Sequence, residues 1–254
     1  MIGLLILVPI IVAPVLYFQH DSIENLFSPK ELETVTWVGL NKTDGLYYKK
    51  FTDIPFTGIA EGKEKPTHLY KTRSLIRDGL KNGLESSFYL SGHLKLKGNW
   101  KNGKREGTWA FYYNNGQLWD KGYFKEGKRE GTWAFYHYNG QLSSKGDYKY
   151  GYKKGAWLSY HYNGQIWEKG NYTKGKKEGE WVSYWSNGQL SYKGNYKKGK
   201  REGRWVEYHD KGQLYSMGEW KNGKPEGMMV YYNSDGSKDT SYSGVYHNGE
   251  KVSD

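Results

Sequence analysis

The sequence predicts an all-β protein: an elongated single-layer antiparallel array of β-hairpin repeats, with a short apolar N-terminal helix ahead of it. Three observations carry this. Glycines recur at a constant step of 24 residues at Gly83, Gly107, Gly131, Gly155, Gly179, Gly203 and Gly227. A second series keeps the same step at Gly92, Gly116, Gly140, Gly164, Gly188, Gly212 and Gly236. Aromatic residues reach 17% of the chain, with 25 Tyr and 11 Trp, so the surface available for burial is largely aromatic. A fixed period of this kind marks a repeat array, in which each unit buries its apolar face only against its neighbours.

From the N-terminus, residues 1–18 form an uncharged apolar run, MIGLLILVPIIVAPVLYF. Its length lies between a signal-peptide core and a minimal membrane span, and residues 1–20 are read as a signal or anchor segment. Pro9 and Pro14 would kink a helix there without excluding it from lipid. Asp21, Glu24, Glu31 and Glu33 follow against a single Lys, which favours the α-amino end as the cytoplasmic side. The chain is therefore expected to be membrane-anchored or exported, and cytoplasmic only if this segment is not a targeting signal. Residues 21–46 read as a linker, and residues 47–82 as a capping region opened by an imperfect hairpin at 47–62. Residues 83–254 hold seven repeats. Glu85 stands for Trp in the first and Met229 in the last, as capping units require.

Within one repeat, residues 107–130, two β-prone runs flank Asn114-Asn115-Gly116. Asn-Gly between such runs is a strong hairpin signal, and a two-residue loop there would need positive φ at both residues. That loop sets Tyr113 opposite Leu118, Phe111 opposite Asp120, Trp109 opposite Gly122 and Gly107 opposite Phe124. An indole can then lie over the bare backbone of its partner strand, as aromatic rescue of a glycine. The same pairing joins Trp133 with Gly146, Trp157 with Gly170, Trp181 with Gly194 and Trp205 with Gly218, so these residues are read as structural. Trp109, Tyr113, Leu118, Gly122 and Phe124 fall on one face. Ala110, Tyr112, Trp119, Lys121 and Tyr123 fall on the other. Across repeats this second face carries Tyr112, Tyr136, Tyr160, Tyr184, Tyr208 and Tyr232, beside Lys97, Lys121, Lys145, Lys169 and Lys193.

The net charge is +11, and it sits in the repeats: 28 basic against 18 acidic residues from Gly83 onward, and 10 against 9 before it. Such a surface favours anionic partners. The chain has no cysteine, which excludes disulfides, thiolate metal sites and a Cys nucleophile. His137, His161 and His209 share one column, but sites ~10 Å apart cannot share a zinc whose ligands lie ~2 Å away. Glu178 and Glu180 flank Gly179 without a cleft, which argues against a glycosidase pair. The Lys-x-Gly-Lys loops lack a phosphate-cradle pattern, and Lys104-Arg105, Lys128-Arg129 and Lys200-Arg201 read as solvated turn residues. No enzyme, cofactor, metal or small-molecule substrate is expected.

The motif Tyr196-x-x-Gly199-x-x-x-Gly203-x-Trp205 resembles the MORN repeat. The fuller block Gly179, Trp181, Tyr184, Asn187, Gly188, Gln189, Leu190, Lys193, Gly194 and Tyr196 is similar to its bacterial variant in the YwqK-type antitoxin family. The resemblance covers about residues 47–254. It implies a non-catalytic β-repeat protein that binds other proteins or membranes, and in the YwqK-type group an antitoxin that neutralises a partner toxin. The expected contact surface is Tyr112, Tyr136, Tyr160, Tyr184 and Tyr208 with Lys121, Lys145, Lys169 and Lys193, because Tyr gives rigid contact area at low entropy cost. Anionic membrane lipid bound through basic turns is the alternative. Single-stranded nucleic acid ranks last, since Glu106, Glu130, Glu178, Glu202 and Glu226 interrupt the positive path.

Overall fold

The computed structural model describes residues 32–254, and the apolar run with its expected helix lies outside them. Among the described residues no helix is long and apolar enough to cross a membrane. The folded unit Thr34–Asp254 is a sheet of 18 strands with a separate two-stranded ribbon. It begins with β1 (Thr34–Thr36), a 3-10 turn (Trp37–Gly39) and the ribbon of β2 (Leu40–Thr43) and β3 (Leu46–Lys49). The part of residues 21–46 expected as linker is thus folded from Thr34 on, and Trp37 and Leu40 are buried there. Residues 47–82 add β4 (Gly58–Gly62) and β5 (Tyr70–Arg77). β1 lies parallel to β4, and from β4 onward each strand pairs antiparallel with the next in chain order.

The repeats supply β6 (Leu80–Tyr89), β7 (Leu94–Lys101), β8 (Lys104–Tyr112), β9 (Leu118–Lys125), β10 (Lys128–Tyr136) and β11 (Leu142–Lys149). They continue with β12 (Tyr152–Tyr160), β13 (Ile166–Thr173), β14 (Lys176–Tyr184), β15 (Leu190–Lys197), β16 (Lys200–Tyr208) and β17 (Leu214–Lys221). The array closes with β18 (Lys224–Tyr231), β19 (Gly244–His247) and β20 (Glu250–Ser253). Within a hairpin the expected register holds: Gly107 pairs with Phe124, Trp109 with Gly122 and Phe111 with Asp120.

The turn is another matter. Tyr112, not Tyr113, pairs with Leu118. Gly116 N–H donates to the Tyr113 carbonyl at 3.0 Å and Tyr113 N–H to the Gln117 carbonyl at 2.8 Å, so the loop holds three residues. Only Gly116 has positive φ, at 85°. This is a type I turn with a left-handed bulge residue, not a two-residue turn. Asn115 is there for its side chain: Oδ1 accepts the Gln117 N–H at 3.0 Å and Nδ2 donates to the Tyr138 carbonyl of the next repeat at 3.1 Å. The two-residue turns with positive φ at both positions lie at the other edge of the sheet, as in Glu126 (φ 49°) with Gly127 (φ 78°).

Candidate interaction faces

The Trp face is a packed core. Each indole does lie over a glycine, but over that of the preceding hairpin, not over its own register partner. A Cβ on Gly122 would stand 2.2 Å from the Trp133 ring, and one on Gly98 would stand 2.1 Å from the Trp109 ring. The cause is a bulge between repeats: Lys97 pairs with Ala110 and Asn99 with Glu106, so Gly107–Trp109 pass opposite the single residue Gly98. Bulges re-aim side chains, and this one turns the indole back across the joint. Trp109 Nε1–H then donates to the Asn99 carbonyl at 3.0 Å, as Trp133 does to Tyr123 at 3.1 Å. The expected rescue is therefore corrected from a contact within a repeat to a contact between repeats.

Edge-to-face rings continue the joint along the sheet. Phe124 meets Trp109 at 6.0 Å and Trp133 at 5.0 Å between centroids; Tyr148 meets Trp133 at 6.1 Å and Trp157 at 5.3 Å. Tyr172 and Tyr196 extend the series to Trp205. Each such pair contributes ~0.5–1.5 kcal/mol beyond its area. A cation covers each indole: Arg105 over Trp109 at 4.6 Å, Arg129 over Trp133 at 4.3 Å, Lys153 over Trp157 at 4.0 Å, Lys177 over Trp181 at 4.0 Å and Arg201 over Trp205 at 4.3 Å. Arg105, Arg129 and Arg201 are thus packed on rings and are not the solvated turn residues the sequence suggested. Burial pulls the Arg105 and Lys153 pKa values below their ordinary ranges. Asp120 is buried among these groups, with Oδ2 at 3.2 Å from Arg129 and Oδ1 without a hydrogen bond. Burial pushes its carboxyl up to about 6, against the pull of Arg129 and Arg105.

The opposite face is open. Lys121, Lys145, Lys169 and Lys193 are exposed, while Tyr112, Tyr136, Tyr160, Tyr184 and Tyr208 are half-buried. The larger exposed rings lie beside them: Trp119 and Trp167 at 50%, Tyr123 at 43% and Tyr215 at 42%. Column 119 alternates large and small residues, as Trp119, Ser143, Trp167, Ser191 and Tyr215. That alternation was visible in the sequence and marks the broken, exposed row that the regular Tyr column does not.

Both edges are tied from repeat to repeat. At the Asn-Gly edge the column of His137, His161 and His209 lies within hydrogen-bond distance of the carbonyls of Tyr160, Tyr184 and Tyr232, at 3.0, 2.8 and 3.0 Å. Tyr113 and Trp185 serve the same position by donating to Tyr136 and Tyr208. These histidines are structural ties, and among the described residues no cluster of three metal-ligating side chains occurs. At the other edge Glu106 Oε2 accepts the Glu126 N–H at 2.9 Å, and Glu202 Oε2 accepts the Asn222 N–H at 2.9 Å. The Glu column thus serves the turns and not the surface path.

Comparison with known families bears on the unit that repeats. Six stretches, residues 81–102, 105–126, 129–150, 153–174, 177–198 and 201–222, match the MORN repeat variant, and they make up more than half of the chain. The chain belongs to that family. No curated protein matches it significantly. Each MORN unit runs from one two-residue turn through a three-residue hairpin loop ending in Gly to the next such turn, so one indole joint separates each unit from its neighbour. MORN repeats are in general protein- or membrane-binding scaffold elements. The matched units end at Asn222, before the Met229 block. There Met229 takes the place of the indole, with Sδ 2.1 Å from where a Gly218 Cβ would stand.

Proposed function

We propose that this protein is a non-catalytic interaction scaffold that binds a partner protein through the open face of its sheet. In this reading it is held at or carried across a membrane by its apolar N-terminal segment. One observation supports it above the others: the face opposite the packed indoles keeps Trp119, Trp167 and Tyr215 half exposed beside a row of solvated lysines, although the same sheet buries Trp109, Trp133, Trp157, Trp181 and Trp205 on its other side. Exposed rings in a row mark interaction sites, and Trp and Tyr dominate the energetics of protein interfaces. A toxin neutralised by an antitoxin-like scaffold is the specific partner that the YwqK-type resemblance implies.

The test is isolation of the native protein in mild detergent, with mass spectrometry of what co-purifies. One stoichiometric protein partner, lost when Trp119 and Trp167 are changed to Ala, is the expected result. Membrane recovery without any protein partner would overturn the reading.

A second reading rests on the turn edge. Lys125 pairs with Lys128, Lys197 with Lys200 and Lys221 with Lys224 across their turns. Like charges directly opposite destabilise a ladder, so this edge favours an anionic surface that relieves them. Anionic lipid would do so, each Lys near such a surface contributing ~1 kcal/mol. Steep loss of vesicle binding with added salt supports this; salt-insensitive binding to neutral vesicles sinks it.

A further inference from the structure

Between Glu106 and Glu226 the turn edge repeats with one break that bears on a ligand. A Glu carboxylate accepts the first N–H of the following turn from Glu126, Tyr150, Lys198, Asn222 and Asn248, at 2.8–2.9 Å each. The next residue in this series of acceptors, between Glu130 and Glu178, is Lys154. The turn it should serve is built like the others, with Lys174 at φ 49° against 49° for Glu126 and 52° for Lys198. Among the described residues no carboxylate meets the Lys174 N–H.

The surroundings change at the same place. Tyr152 occupies the column that elsewhere holds Lys104, Lys128, Lys176, Lys200 and Lys224. Tyr150 and Tyr152 stand 66% and 62% exposed and, with Lys149, Lys153, Lys154 and Lys174, line a groove of about 980 Å³. No acidic side chain lines it. The Lys153 ammonium is engaged by Trp157 at 4.0 Å and Tyr172 at 4.9 Å, and Lys149 lies over the Tyr150 ring at 5.4 Å, which leaves Lys154 and Lys174 for a ligand.

We propose that this groove docks an acidic segment of a partner protein, with an Asp or Glu carboxylate accepting the Lys174 N–H, as a Glu does at the turns of Glu126, Tyr150, Lys198, Asn222 and Asn248. This rests on the scaffold reading above and adds a second contact to it. The ligand chemistry is set by the fold: a carboxylate fits this amide in the other turns, and the two Tyr rings supply rigid area for the segment that carries it.

The test uses the full chain in mild detergent with fluorescently labelled hexaglutamate as the probe. Lys154→Glu restores the intramolecular acceptor, so it should keep the fold and weaken hexaglutamate about tenfold or more. Lys200→Glu makes the same charge change at a turn whose Glu202 is in place, and should weaken it less than about twofold. Tyr150→Ala should also weaken binding. Equal losses in Lys154→Glu and Lys200→Glu, or no binding to wild type, would overturn the proposal. So would inorganic phosphate competing as well as hexaglutamate, which would make the groove a general anion site. In the co-purification assay, a partner lost with Trp119→Ala but kept by Lys154→Glu removes this site and leaves the scaffold reading standing. Hexaglutamate binding that responds as expected, without any protein captured by wild type, removes the scaffold reading instead.

Discussion

The two faces of the sheet are built by the same strands from alternating residues, yet they have opposite physical characters. On one, Trp109, Trp133, Trp181 and Trp205 are buried although, among the described residues, no second layer of the sheet covers them. A glycine beneath and a cation above seal each indole, with edge-on rings at both sides of Trp109, Trp133 and Trp181 and at one side of Trp205. On the other, Trp119 and Trp167 are half exposed. A single-layer sheet can therefore make a dry core from one layer of side chains, provided that glycines let rings lie flat on the backbone. That core holds the array together and leaves the second face available for other work.

The largest effect should come from breaking the sealed face. Trp133→Ala removes a buried indole, two edge-to-face contacts and the partner of Arg129, and should cost about 3–5 kcal/mol in denaturant unfolding. Trp167→Ala on the open face should cost less than ~1 kcal/mol by the same measurement. Equal costs would mean that both faces are structural.

Next come the glycines, which separate space from backbone conformation. Gly122→Ala puts a methyl into the Trp133 ring and should cost about 1–3 kcal/mol. Gly107 has open space around it but φ 77°, so Gly107→Ala should cost ~1–2 kcal/mol through strain alone. The two differ in coupling. Gly122→Ala should cost little once Trp133 is already Ala, whereas Gly107→Ala should cost the same in either background, and a double-mutant cycle reads the difference.

A smaller effect lies in Asp120, a carboxylate on the sealed face. Its ordinary value is 3.8 and burial raises it to about 6, so the folded chain binds the proton more tightly than the unfolded one. The unfolded form is then the less protonated between about pH 4 and 6, and stability falls as pH rises through that window. The loss should be of order 1–3 kcal/mol and level off above it. Asp120→Asn should lack the slope and be the more stable chain at pH 7, as followed by unfolding at a series of pH values. A slope unchanged in the variant would assign the effect elsewhere.

Much of this was legible in the residues. The period fixes the hairpins, and alternation from Trp109 to Phe124 fixes the register, because a slip by one would expose every ring. What the residues did not disclose lies at the joints. Asn115-Gly116 carries the dipeptide of a two-residue turn, yet the ties between repeats favour a longer loop in which the Asn side chain reaches the next unit. The contact of Trp133 with Gly122 depends on a bulge that spans two repeats, and within-hairpin arithmetic cannot produce it. For the binding face, the sequence offers the regular Tyr column as its signal, and Tyr112 and its equivalents are half-buried there. The exposed rings are those that break the repeat, and the groove at Lys154 is likewise an exception to its column.

The smallest effect on stability should accompany the largest effect on binding. Lys121, Lys145 and Lys169 are exposed and lie opposite Ala110, Ala134 and Leu158 in the ladder, with no like-charged neighbour across the pair. Changing all three to Glu alters the charge of the open face by about six units, while each exposed site should shift folding by less than ~0.5 kcal/mol. If the open face meets a partner protein, the triple variant should unfold at nearly the wild-type denaturant midpoint and fail to retain that partner. Charge reversal at an interface acts first on encounter, so the loss should appear mainly as a slower association rate; added salt should slow wild type and speed the variant, bringing the two rates together. Retention of the partner by this variant, together with its loss from Trp119→Ala, would confine the contact to the exposed rings. Loss of folding would show instead that the lysines hold the sheet and that the two faces are less independent than their burial indicates.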